Sequence, residues 1–149
     1  MRQALGSISQ RSDGMAKALI FATGLLTKSN IPIAKYISSK ANTDLFNLKD
    51  LMRLNLDAYD TIIFGTANNS GIPDKLVSEF VNSNKDVLSK KKTFLYVLVS
   101  KEDEKTEEQV QNIAQQLGVA DVVYFNKKAE ETNGSGFPAA VDDFIAKLE

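Results

Sequence analysis

The chain has 149 residues, 43% of them hydrophobic and 25% charged, the proportions of one globular domain with a real core. Its 18 basic and 19 acidic residues leave a net charge of −1, so no bulk field draws in nucleic acid or anionic lipid. The absence of Cys and His excludes disulfides, thiolate nucleophiles, imidazole bases and most zinc sites, and no apolar run is long enough to span a bilayer.

Residues 1–14, MRQALGSISQRSDG, are polar and without periodicity, and a second Met follows at position 15. They are expected to be an N-terminal tail, from an upstream start or from added residues, ahead of a domain covering 15–149. They contain no secretory-type apolar core, and the expected location is cytoplasmic.

From Met15 onward the sequence alternates between two periods. Lys17 to Thr23 is a short apolar run suited to a buried strand. Ser29 or Asn30 can cap a helix with Pro32 in its first turn, its apolar face formed by Ile33, Ala34, Ile37 and Ala41. Thr43 to Phe46 reads as a second strand, followed by a brief helical turn from Leu48. Asp60 to Thr66, DTIIFGT, carries the strongest strand signal in the chain.

Pro73 opens the next helix, with Leu76, Val77, Phe80 and Val81 as its apolar stripe. The Lys90-Lys91-Lys92 run is a solvated turn before a fourth strand, Lys92 to Val99. A helix with glutamates at its positive end follows, buries Val110, Ile113, Ala114 and Leu117, and stops at Gly118. Asp121 to Phe125 is a fifth strand. Gly134-Ser135-Gly136 then leads through Pro138 to a last helix with Val141, Phe144, Ile145 and Leu148 inward.

This alternation predicts an α/β three-layer sandwich: a five-stranded parallel sheet of order 2-1-3-4-5, with helices on both faces. In such a sheet ligands bind beyond the carboxyl ends of the strands, where the connection direction reverses. That point lies between strands one and three. The relevant loops are Thr23 to Asn30, Thr66 to Pro73, and the segment from Val99 and Ser100.

Several chemistries fail at these loops. FATGLLTKSN ends in the Lys-Ser of a nucleotide P-loop, but Ala22 and Thr27 occupy its glycine places. No GxGxxG follows strand one, which excludes an ordinary dinucleotide site. A phospho-receiver domain needs an acidic cluster after strand one and an Asp closing strand three, and Thr23-Gly24 and Gly65-Thr66 stand there instead. The second loop, GTANNSGIP, is small and polar, with no carboxylate in it. What remains is a neutral, hydroxyl-rich pair of loops, one at a helix N-terminus, suited to a phosphate monoester bound by backbone N–H and Ser/Thr donors.

The stretches KALIFAT, IAKYIS and LDAYDTIIFGTANNSGIPDKLVSEFV resemble the flavodoxin-like family, over roughly Ala16 to Leu148. Within it the chain is most similar to the short group of menaquinone-dependent protoporphyrinogen oxidases. The resemblance implies FMN as cofactor, with its phosphate in the first loop and its isoalloxazine between the second and third. Carried over by position, the phosphate turn falls on Leu25, Leu26, Thr27, Lys28, Ser29 and Asn30, with Thr23 and Gly24 before it and Thr27, Ser29 and Asn30 as its donors. Lys28 stands where the family has glycine. The ring would be framed by Thr66, Ala67, Asn68, Asn69, Ser70 and Gly71 and by Val99 and Ser100, with backbone N–H groups of Asn68 to Gly71 tuning it. No aromatic residue stands near Asn69 to stack on the ring, and Tyr96 is expected in the core.

The implied role is electron transfer or small flavin oxidoreduction, with a redox protein or a quinone as partner, and no catalytic side chain is assigned. The alternative is a flavodoxin-fold chain that has lost flavin and serves as an interaction or regulatory module.

Overall fold

The computed structural model describes residues 16–22, 30–50, 54–100, 102–126, 132, 134 and 136–148. The expected tail, residues 1–14, lies outside them. The elements are β1 (Lys17–Phe21), α1 (Asn30–Ala41), β2 (Asp44–Asn47), a 3-10 turn (Leu48–Asp50), β3 (Thr61–Ala67), α2 (Lys75–Ser83), α3 (Lys85–Leu88), β4 (Lys92–Val99), α4 (Thr106–Leu117), β5 (Asp121–Asn126) and α5 (Ala140–Leu148). The strands form one parallel sheet in the order β2-β1-β3-β4-β5, as expected.

Strict alternation along buried strands divides the core into two layers. Ala18 and Ile20 of β1, Ile62 and Phe64 of β3, and Leu95, Val97 and Val99 of β4 face α2 and α4. They meet Val77 and Val81 of α2, and Val110, Ile113, Ala114 and Leu117 of α4. Leu19 and Phe21, Ile63, and Tyr96 and Leu98 face the other way, onto Ile33, Ala34 and Ile37 of α1 and Val141, Phe144 and Ile145 of α5. Each apolar stripe read from the helix period is therefore the face that packs on the sheet.

The differences from expectation lie at element ends. β3 extends to Ala67, which pairs with Leu98, and β5 extends to Asn126, which pairs with Val99. β2 starts at Asp44 because Thr43 belongs to the turn after α1: its N–H and its hydroxyl both donate to Ser38, to the carbonyl and to Oγ. α2 begins at Lys75, two positions after Pro73, because the Asp74 N–H is donated to Thr66 Oγ1. The short α3 was not expected. Asn84 closes α2, its N–H on Val81 and its Nδ2 on Phe80, and the chain then winds one further turn. α4 ends as predicted, with Gly118 at φ 69° and its N–H on the Gln115 carbonyl.

Candidate functional site

The carboxyl ends of β3 and β4 lie side by side, joined by the Asn68 N–H on the Leu98 carbonyl at 3.0 Å. Beyond them is a cavity of about 320 Å³ lined by Asn68, Ser70, Val99, Ser100, Asp103, Lys105, Thr106 and Gln109. Asn68, Ser70, Val99 and Ser100, taken from two separate loops in the sequence, thus converge on one space. Its volume is at the lower end of the range for small-molecule sites. The lining is polar apart from Val99, and it includes no aromatic side chain.

The second loop owes its shape to its own polar residues. Asn68 Oδ1 accepts the Gly71 N–H at 2.8 Å, and Asn69 and Ile72 exchange both backbone hydrogen bonds at 3.1 Å. Ser70 takes φ 54° and Gly71 φ 88°, so the turn crosses the left-handed region where glycine is least strained. The loop is then clasped to α4. Asn68 Nδ2 donates to Gln109 Oε1 at 2.8 Å, Gln116 Nε2 donates to the Gly71 carbonyl at 2.9 Å, and the Gly71 Cα faces the Gln109 backbone.

Three N–H groups expected to face a ligand are therefore spent inside the protein: those of Asn68, Asn69 and Gly71. Among the described residues the Ser70 N–H alone of the four finds no acceptor. The short loop needs those bonds to hold its turn, because a buried backbone group without a partner is costly.

The reading of this loop as free of carboxylate also needs correction. Asp74 follows Pro73 directly, and its side chain turns back into the loop to accept the Ala67 N–H at 3.3 Å. The Thr66 and Asn69 side chains lie close enough to the same carboxyl group to favour its charged form, while the Thr66 hydroxyl donates to the Ala67 carbonyl at 3.3 Å. Burial raises its pKa above the usual carboxylate value, and these contacts offset only part of that cost. The sequence predicts this helix from Pro73 and does not single out Asp74, whose inward turn has no local signal. Thr66 itself is buried, its Oγ1 accepting the Asp74 N–H at 2.8 Å.

The third loop is built on Asp103 and Thr106. Asp103 Oδ1 accepts the Lys105 N–H at 2.8 Å, and Thr106 Oγ1 accepts the Asp103 N–H at 2.9 Å, so the chain folds on itself just before α4, whose N-cap, Lys105, makes no side-chain capping bond. Glu102 leans over the end of β5, accepting from Tyr124 at 3.2 Å and Asn126 at 2.8 Å. Thr23, Gly24, Thr27, Lys28 and Ser29 lie outside the described residues. Asn30 is the first residue of α1, which starts beyond the end of β1. Tyr96 is 1% exposed and belongs to the core, as expected. Ile72, at 56%, is the most exposed large apolar side chain among the described residues, and it stands on the rim of the second loop.

Among the described residues no group of acidic side chains is placed to hold a metal ion, and no helix is long and apolar enough to cross a membrane. A second cavity, about 410 Å³, lies at the opposite end of the sheet between Leu88, Lys91, Thr93 and the end of α4, and none of the expected site residues lines it.

The family described as the flavodoxin domain matches residues 29–131. No curated protein matches. The solved structures similar to this chain include oxidised flavodoxin 2 from Bacillus cereus, 19% identical, with a TM-score of 0.65 over 89% of this chain and 97% of the other. Flavodoxin from Fusobacterium nucleatum, bound to flavin mononucleotide, is 13% identical, with a TM-score of 0.59 over 89% and 96%. The WrbA-like flavodoxin from Agrobacterium tumefaciens is 17% identical, with a TM-score of 0.56 over 90% and 99%.

Proposed function

The chain belongs to the flavodoxin domain family, and from that premise we propose that it binds FMN and serves in electron transfer or as a small flavin oxidoreductase. The observation that carries this reading is the convergence of Asn68 and Ser70 with Val99 and Ser100 on one cavity beyond β3 and β4. That is the side of the sheet where a ligand of this fold sits, close to the reversal between β1 and β3. The solved relative from Fusobacterium nucleatum carries flavin mononucleotide, which is consistent with it.

The residues fit the group in kind. In this reading the cavity would hold the ring, with the Ser70 and Ser100 hydroxyls and the Gln109 amide nitrogen as its polar contacts and Asn68 shaping the loop. Thr66, Ala67, Asn69 and Gly71 give the second loop its shape. The phosphate rests at the start of α1, with Thr27, Ser29 and Asn30 as donors, Thr23 and Gly24 leading in, and Lys28 as countercharge. Bound flavin would supply the redox chemistry, and the protein supplies binding, orientation and the electrostatics of the site. The finer assignment, to the group of menaquinone-dependent protoporphyrinogen oxidases with a quinone or a redox protein as partner and a cytoplasmic location, is part of the proposal.

A second reading is favoured by one observation: no aromatic side chain lines the cavity. A stacking partner contributes about 0.5–1.5 kcal/mol beyond area burial. Without it, and with lysine in the phosphate turn, the domain could have left flavin behind and become an interaction module. Absorption spectra of the purified protein separate the two. Bands of bound flavin support the first reading; a colourless protein whose melting temperature ignores added FMN supports the second.

A further inference from the structure

Asp74 has a role that neither the fold nor the cavity lining assigns. It is the only carboxylate hydrogen-bonded within the second loop among the described residues: it accepts the Ala67 N–H, with the Thr66 and Asn69 side chains beside it. Its own N–H goes to Thr66 Oγ1, so Thr66 and Asp74 are tied by backbone and side chain alike. The loop between them, Ala67 to Pro73, is closed by this pair.

We infer that Asp74 is a positioning residue for the ring-binding loop: its carboxyl group holds the Ala67 N–H while its own N–H holds Thr66, and together these bonds fix the Asn68–Gly71 turn against which the ring lies. The inference rests on the FMN reading for its ligand, and on the apo geometry alone for its mechanism. The carboxylate has no charged hydrogen-bond partner among the described residues. On α2, Lys75 and Glu79 pair with each other at 3.9 Å. Among the described residues, the turn packed against α2 carries Lys49 and Asp50, and the segment at the start of α4 carries Asp103, Lys105, Glu107 and Glu108. Burial, rather than any of these, dominates the state of the carboxyl group.

Ionised, Asp74 makes charge-assisted bonds, which are roughly twice as strong as neutral ones. Burial outweighs those bonds, so the folded loop favours the protonated group, and ionisation as pH rises through the raised pKa is what loosens the loop. The loop's geometry is therefore linked to one proton.

The test needs no ligand at its first step. In an NMR pH titration of the apo protein, the amide signals of Ala67 and of Asn68 to Gly71 should move together, with one apparent pKa above that of an ordinary carboxylate. In Asp74→Asn that shared titration should vanish while the rest of the spectrum stays native. At the second step, FMN affinity of Asp74→Ala should fall about tenfold at a pH below that apparent pKa, and that of wild type should weaken as pH rises through the same apparent pKa. Loop amides that titrate separately, or that keep their titration in Asp74→Asn, overturn the inference. So does unchanged affinity in Asp74→Ala. If wild type binds no FMN, the flavin reading fails, and the shared titration still decides whether Asp74 sets the loop.

Discussion

The Tyr96 ring lies over the Cα of Gly65, its register partner on the neighbouring strand, and a Cβ placed on Gly65 would sit inside the ring and its hydroxyl. Glycine at 65 is thus a packing requirement rather than a conformational one. Tyr96 uses the space to stack on Phe125, with ring centroids 5.7 Å apart, while Phe144 meets both edge-on.

Gly65→Ala is therefore expected to destabilise the fold by about 2 kcal/mol, the usual size of overpacking. In a protein of this length that lowers Tm by roughly 4–8 °C. Combining it with Tyr96→Leu should remove most of the Gly65→Ala penalty, a coupling measurable by denaturant unfolding of the four-member cycle. Additive costs would contradict the contact.

Tyr96→Phe makes a separate prediction. Among the described residues the buried hydroxyl has no hydrogen-bond partner, and burial pushes its pKa far up. Removing it should leave stability unchanged or raise it by up to about 1 kcal/mol. A loss larger than that would reveal a partner for the hydroxyl.

Asp74 gives the pH prediction. Its pKa is raised in the folded state, so its contribution to stability is complete below the ordinary carboxylate pKa and is lost as pH rises through the folded value. Asp74→Asn should remain folded at neutral pH and should flatten that part of the stability–pH curve. A variant that is much less stable at neutral pH, with the curve unchanged, would contradict the assignment.

Asn68 holds the second loop from two sides, through Gly71 N–H and Gln109. Asn68→Ala leaves the Gly71 N–H without its acceptor and should cost about 1–2 kcal/mol, whereas Gln109→Ala should cost about 0.5 kcal/mol. Equal costs in unfolding experiments would show that the α4 clasp, not the turn, is what Asn68 serves.

Most of the fold was legible in the sequence because buried parallel strands and amphipathic helices both write their periods plainly. The strand order followed from topology alone. The end effects escaped because each depended on a single side-chain bond, such as Thr66 to the Asp74 N–H or Thr43 to Ser38. Asn68, Ser70, Val99 and Ser100, expected from their position at the ends of strands, line the cavity. Gln109, Lys105 and Thr106 were not expected, since helix α4 read only as a core-packing element. Asp74 was passed over as the start of a helix, and its inward turn is a tertiary event with no local signal.

The phosphate turn can be probed directly. Thr27→Ala and Ser29→Ala should each weaken FMN about tenfold, the loss of one hydrogen bond to a charged group. Unchanged affinity in both would move the phosphate elsewhere.

The most direct measurement is a titration of the purified protein with FMN, following flavin fluorescence and melting temperature together. A saturable quenching at one flavin per chain, with a Tm that rises as FMN is added, is the expected result. Fluorescence equal to that of free FMN, with an unmoved Tm, would contradict it and leave a flavodoxin fold without its flavin.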